Sequence, residues 1–274
     1  MHKHSSSPGV LLSLSCPCFL VKIKLISQKF IQIYPVKRWY NQICQKLLQR
    51  TNCEGEKRML EIIAMVTMAI DHIGAVFFPD IIAFRIIGRI AFPIYCYMIA
   101  QGYQRTGNLS KYAQRLLAMA LLSQPVYMIL FQISRPNVIF TLLISLGVLY
   151  ILDSKFHNTV KALAIITACA ALNLGFEYGV YGLSLILMYR YYQDAKPLLL
   201  LHSIINLVFI LSVSPLQIMS ILGTLLILRF KDVETLKLDR TLYRVFYPLH
   251  LSILLLLKSP WTLLCTFLTL IDYA

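Results

Sequence analysis

The sequence predicts an all-α, polytopic integral membrane bundle of about nine transmembrane helices, with a short apolar piece left over for a tenth. Three observations carry this. Hydrophobic residues make up 58% of the 274-residue chain and charged residues only 14%, for a mean hydropathy of +0.69. A water-facing domain carries about 25% charged residues, so this chain lacks the polar surface to face water all round. From Ile62 onward, apolar runs of about 17–25 residues recur, each long enough to cross a hydrocarbon core as a helix. The period-2 alternation of a membrane barrel is not present, and an isolated strand in lipid would leave its backbone groups without partners.

Residues 1–58 read differently from the rest. An apolar stretch at 10–21 is broken by Ser13, Ser15 and Pro17, too short to span securely. A basic segment with Lys37, Arg38, Lys46, Arg50, Lys57 and Arg58 follows, without the small-residue cleavage site of a signal peptide. This stretch is expected to be a cytoplasmic or interfacial extension, or a non-native segment ahead of a start near Met59. Residues 59–274 form the expected membrane-embedded domain.

Within it the first two helices are predicted at 60–78 and 82–103, turning near Pro79. A third at 112–132 follows the basic flank Arg105, Lys111 and Arg115, and a fourth at 137–152 precedes Lys155 and Lys161. The fifth and sixth, 160–174 and 179–193, lead to Arg190 and Lys196. The seventh and eighth, 197–212 and 215–229, are followed by Arg229, Lys231, Lys237, Arg240 and Arg244, then by a ninth at 242–257. The apolar piece at 261–271 is short for a tenth span.

The formal net charge of +14 is concentrated in alternate connections, the pattern that fixes topology rather than a nucleic-acid face. The N-terminal side is therefore expected inside a cell membrane, with the outer connections holding little beyond Arg135 and Lys258. Tyr189, Tyr191 and Tyr192 fall where an inner aromatic belt belongs. The seven cysteines are scattered, Cys96, Cys169 and Cys265 within apolar runs, and Cys16-Pro17-Cys18 alone indicates neither a disulfide nor a metal site.

Ionisable groups in a span cost several kcal/mol unless they face the bundle interior, so each is a functional candidate. Asp71 and His72 lie inside the first helix, Arg85 and Arg89 inside the second, four residues apart on one face. By helical rise from the turn at Pro79, Asp71 lies about 12 Å deep and Arg89 about 14 Å, level on antiparallel neighbours. An Asp71–Arg89 ion pair is expected, or failing that Asp71–Arg85. It is either a helix clamp or part of a site. His72 diverges from Asp71 by about 100° and must face another neighbour or a cavity. Its imidazole suits proton transfer. His250 on the ninth helix reaches a similar depth, about 12 Å. Asn137, Thr141 and Ser145 form an i, i+4, i+8 stripe, and Glu177 and Tyr178 precede the sixth helix. The stripe reads either as substrate contacts or as interhelical hydrogen bonding. His202 and Asn206 read as packing.

Several stretches resemble the TraX family in order. They are Met68-Ala69-Ile70-Asp71-His72-Ile73-Gly74, Arg85-Ile86-Ile87-Gly88-Arg89-Ile90-Ala91-Phe92-Pro93, Tyr112 through Arg115 to Ser123-Gln124-Pro125, and Asn137-Val138-Ile139-Phe140-Thr141. Glu177-Tyr178-Gly179 with Tyr181-Gly182, and Phe246-Tyr247-Pro248-Leu249-His250-Leu251, continue it, so that residues 59–258 are covered. The family is named for a protein that N-acetylates the F-pilin subunit and is similar to wider families of multi-spanning membrane acyltransferases. The resemblance implies acyl transfer, acetyl from acetyl-CoA to an acceptor at the membrane or cell surface, whether protein, glycan or lipid. It carries over onto Asp71, His72, Arg85, Arg89 and His250. The family more often has Asp before the Tyr-Gly that here follows Glu177, and residues 1–58 have no counterpart.

The expected division of labour follows. His72 is the general base, His250 a second proton-handling group, and Arg85 and Arg89 stabilise developing negative charge. Asn137, Thr141, Glu177 and Tyr178 contact the substrate. With no nucleotide-binding glycine loop in the sequence, CoA is expected to use basic side chains at the inner face, Arg105, Lys111 and Arg115. The rival class is a transporter or channel with an intramembrane Asp/Arg/His path; an inverted repeat would favour it, and no internal repeat stands out.

Overall fold

The computed structural model describes residues 58–210, 214–231 and 245–260, and all its regular structure is helical. The basic N-terminal segment and the apolar piece at 261–271 lie outside the described residues, as do Lys237, Arg240 and Arg244. The elements are α1 (Arg58–Phe77), α2 (Ile82–Gly88), α3 (Ala91–Arg105), α4 (Leu109–Phe131), α5 (Val138–Asp153), α6 (Asn158–Asn173), α7 (Gly179–Tyr191) and α8 (Ala195–Phe209). A 3-10 helix (Pro215–Ser220) then runs into α9 (Ile221–Phe230), and α10 covers Val245–Pro260. Among the described residues three stretches are long and apolar enough to cross a membrane, namely Met59–Phe77, Ile82–Arg105 and Leu109–Phe131. The remaining apolar helices are shorter, 10–17 residues.

Polarity is inverted relative to a water-soluble bundle. Leu122, Leu163, Ile166, Leu207 and Leu256 are 60–75% exposed, while Asn137, Thr141, Ser145, His202, Gln217, Ser220 and Thr224 are fully buried. Apolar outward faces on this scale mark a surface that meets something other than water.

Local sequence explains the boundaries. Pro79 disfavours helix at Phe78 and stops α1. The second predicted helix is a bent pair. Its break falls at Arg89–Ile90, because Pro93 has no N–H for the Arg89 carbonyl and its ring crowds that turn. The α4 helix starts three residues earlier than expected, because Asn108 caps it by accepting from the Lys111 N–H at 2.9 Å. Asn137 caps α5 and His157 caps α6 in the same way. The eighth predicted helix opens as a tighter 3-10 turn on Ser214 and Pro215.

At the centre, α3 and α7 pack against α1 and α5 through Leu60, Ala64, Phe92, Cys96, Leu146, Tyr181, Leu185 and Tyr189. A second cluster seals α1, α4 and α10 through Met68, Tyr127, Leu130, Tyr247 and Leu251. Two glycines set the α1–α2 crossing: a Cβ on Gly74 would strike Phe84, and one on Gly88 would strike the Asp71 side chain. Cys96 and Cys169 are free thiols.

Candidate functional site

Asp71 points from α1 to the glycine face of α2. Its Oδ2 lies 3.0 Å from Arg85 Nη1 and its Oδ1 3.7 Å from Arg89 Nη2. The carboxylate thus sits between both arginines, with the shorter contact to Arg85. Matched depth sets the level of two groups only to within a turn, and the long arginine side chains decide the rest. Arg89 is the more enclosed, 9% exposed against 34% for Arg85. It donates from Nη1 to the Tyr178 hydroxyl at 3.1 Å and to Gln217 Oε1 at 3.3 Å, and from Nε to the Arg85 carbonyl at 3.4 Å. One guanidinium therefore ties α2 to the α6–α7 loop and to the 3-10 helix.

That loop is shaped by its backbone. Gly175 at φ 110°, Tyr178 at φ 59° and Gly179 at φ 41° all occupy the left-handed region, which only glycine enters freely. Tyr178 is held there by its ring, stacked on Phe92 at 3.7 Å between centroids and 13° between planes, and by Arg89. Burial pushes the Tyr178 phenol up to about 12, with Arg89 pulling partly the other way, so it stays protonated at neutral pH. Glu177 is anchored twice: the Tyr127 hydroxyl donates to its Oε1 at 2.7 Å, and the Thr141 hydroxyl to its carbonyl at 2.6 Å.

His72 turns the other way, to α10. Its Nδ1 lies 2.8 Å from His250 Nε2. The rings are 4° from parallel with centroids 5.0 Å apart, the separation of an in-plane hydrogen bond rather than of face-to-face stacking. His250 Nδ1 lies 2.8 Å from the Phe246 carbonyl, and a carbonyl can only accept. That nitrogen therefore carries the proton. In the neutral pair His250 Nε2 is left as a lone pair that accepts from His72 Nδ1–H. The chain of two hydrogen bonds thereby leaves the free lone pair on His72 Nε2. Phe131 packs edge-on to His72 at 5.2 Å, and Phe246 stacks on His250 at 4.8 Å.

The polar stripe of α5 is engaged within the protein. Asn137 Nδ2 donates to the Ala120 carbonyl at 2.9 Å and to Ser123 Oγ at 3.2 Å, its Oδ1 accepts from the Ile139 N–H, and its own N–H donates to Gln124 Oε1. It fastens α4 to α5. Thr141 holds the Glu177 turn, and Ser145 bonds back to the Thr141 carbonyl.

His202 and Asn206 belong to a buried hydroxyl network. The Tyr181 hydroxyl lies 2.8 Å from Asn206 Oδ1 and 2.8 Å from Ser220 Oγ. His202 Nε2 lies 3.0 Å from Ser220, its Nδ1 bonds Thr224, and Thr224 bonds the Tyr189 hydroxyl at 2.6 Å.

The structure brings Asp71, His72, Arg85, Arg89, Glu177, Tyr178 and His250 to one end of the bundle. Arg105, Lys111 and Arg115 are exposed at the α3–α4 connection, Arg105 lying about 24 Å along α3 from Arg89 by helical rise, and are not part of that cluster. Sequence reasoning missed Gln217 and Tyr127. Tyr127 lies two residues past Ser123-Gln124-Pro125, and Gln217 follows Ser214-Pro215 where a helix opens; neither position announces a partner.

A family model described as "TraX protein" matches residues 56–258. The chain is 27% identical over 192 residues to "Probable fimbrial assembly protein FimC, serogroup H1" of Dichelobacter nodosus, covering 64% of this chain and 78% of that protein. It is also 40% identical over 45 residues to an uncharacterized protein of Rickettsia prowazekii (strain Madrid E), covering 16% of this chain and 18% of that one. No solved structure is a significant match. The family match takes in every residue of the arginine and histidine clusters and runs unbroken through the bundle that holds them: this chain belongs to the TraX family.

Proposed function

We propose that the protein is a multi-pass cell-membrane acyltransferase that moves acetyl from acetyl-CoA to an amine or hydroxyl at the membrane or cell surface. The observation that carries this reading is the histidine pair, whose hydrogen bonds leave His72 Nε2 as the free base. In the proposed step the acceptor N–H or O–H gives its proton to His72 Nε2 as the heteroatom attacks the thioester carbonyl. The C–S bond breaks, CoA leaves as thiolate, and His72 returns the proton to sulfur. His250 shares the positive charge through the Nδ1–Nε2 bond. Base catalysis of this kind is worth about 10²–10⁴-fold.

Arg85, the more exposed of the two arginines, stabilises the tetrahedral oxyanion, while Asp71 and Arg89 hold it in place. Glu177 and Tyr178 position the acceptor. Thr141 acts by fixing the turn that carries them, and Asn137 by fastening α4 to α5. CoA enters from the basic end at Arg105, Lys111 and Arg115, inside the cell, and the arginine–histidine cluster lies in the outer half of a nine-span bundle. The fimbrial name of the Dichelobacter nodosus relative supports a pilus subunit as one acceptor, beside glycan or lipid. The test is labelled acetyl-CoA given to purified protein in vesicles with membrane extract. Transfer that depends on His72 is expected, and transfer unaffected by His72→Ala rules the base assignment out.

A further inference from the structure

Tyr247 is the polar residue of the Phe246–Leu251 stretch to which the proposed chemistry gives no task. It stands three residues before His250 on α10, so the two side chains share a face of the helix. Its ring lies edge-on to His250, 5.5 Å between centroids, and edge-on to His72, at 6.4 Å. The residue is 9% exposed, yet among the described residues none hydrogen-bonds its hydroxyl. A buried phenol normally finds such a partner.

The hydroxyl is not sealed in either. Asp71 Oδ1 is an atom without a hydrogen bond that is closed off on every side; the Tyr247 oxygen, equally without one, is not closed off and touches open space. The same holds for the free base, His72 Nε2, on the adjoining ring. The Tyr247 phenol also lies within electrostatic range of Glu177 and Tyr178, and of Tyr127, whose hydroxyl donates to Glu177. One side chain thus adjoins both the base and the groups that position the acceptor.

We infer that Tyr247 is a further catalytic residue, whose hydroxyl donates to the thioester carbonyl oxygen and holds the oxyanion that forms there, as a second donor beside Arg85. The inference rests on the acyl-transfer reading. In that reaction the carbonyl carbon sits where the acceptor heteroatom, giving its proton to His72 Nε2, can reach it, and Tyr247 borders both. The phenol keeps its proton throughout, so no bond is made or broken on it. A donor held ready before the charge develops, in a place shielded from water, is what stabilises an oxyanion best.

The experiment is Tyr247→Phe in the full chain in vesicles, with labelled acetyl-CoA and membrane extract, read as kcat, KM for acetyl-CoA and thermal unfolding. Phe keeps the ring that packs on both histidines and removes only a hydroxyl that no described residue holds, so the unfolding temperature and yield should match wild type. The expected result is a kcat lower by about 10²–10³-fold, the worth of one oxyanion donor. KM should not change, because such a contact is made in the transition state alone. A variant that turns over like wild type overturns the inference, and so does one that loses only KM. A variant that melts earlier or fails to fold, with normal turnover in whatever folds, makes the hydroxyl structural and overturns it as well. In each of these cases wild-type transfer that depends on His72 leaves the acyl-transfer reading standing. A wild type that transfers nothing ends both.

Discussion

His72 Nδ1 and His250 Nε2 meet at 2.8 Å across 178 residues of chain, joining the first helix of the bundle to the last helix described. A structural pair and a catalytic pair make different demands on that contact. His72→Ala is expected to reduce acetyl transfer by about 10²–10⁴-fold while the protein still inserts and purifies in normal yield. His250→Ala should cost less, because His72 keeps its Nε2 and loses only the partner that shares its charge. Rates and yields of both variants, with His72→Gln beside them, decide. A collapse in yield with unchanged specific activity would make the pair a clamp.

Asp71 stands between two arginines, one of them 9% exposed. Asp71→Asn leaves Arg89 with neutral partners only and should destabilise the bundle by about 3–5 kcal/mol. Combining it with Arg89→Gln should recover part of the loss. Thermal unfolding of the single and double variants in detergent measures this, and additive losses would show that the residues do not act as a pair.

Gly88 gives the space that the Asp71 side chain occupies. Gly88→Ala should force α1 and α2 apart, costing about 1–3 kcal/mol and lowering transfer with it. Gly107, with nothing within 4 Å of an added Cβ, is the control, and Gly107→Ala should be silent. The comparison is invalidated as an argument for close packing if the two variants melt alike.

The distribution of basic residues predicts Lys155 inside and Glu177 outside. Cysteines introduced at these positions in a background lacking the native ones should react with an impermeant maleimide at 177 in intact cells, and at 155 only after lysis. Labelling of Lys155→Cys from outside would reverse the topology.

The helical fold was legible in the sequence because apolar runs this long leave few other options. That Asp71 is level with the arginines of the next helix was legible as well, since rise per residue gives it directly. Which neighbour a group meets was not. His72 and His250 sit at similar depths by that arithmetic, yet depth says nothing about which helices touch, and the closure of α10 on α1 is a long-range event. The bend at Arg89 was missed although Pro93 is plain in the sequence, because a proline in the first turn of a helix and one in its middle read alike until the helix start is known. Gln217 was missed for a related reason. Its interest comes from Arg89, 128 residues away, and no local pattern marks it.

Asp71 and His72 are consecutive, yet one is bound to α2 and the other to α10. The first helix therefore has only one admissible rotational phase. Inserting or deleting one residue upstream within it would turn both side chains by about 100°, so that neither could reach its partner and the glycine crossing at Gly74 would close on a bulkier side chain. Length changes are ruled out along α1 ahead of this pair. The lineage of such a chain is then free to vary in its connections and its outward-facing side chains, but in this helix it can change only by substitution.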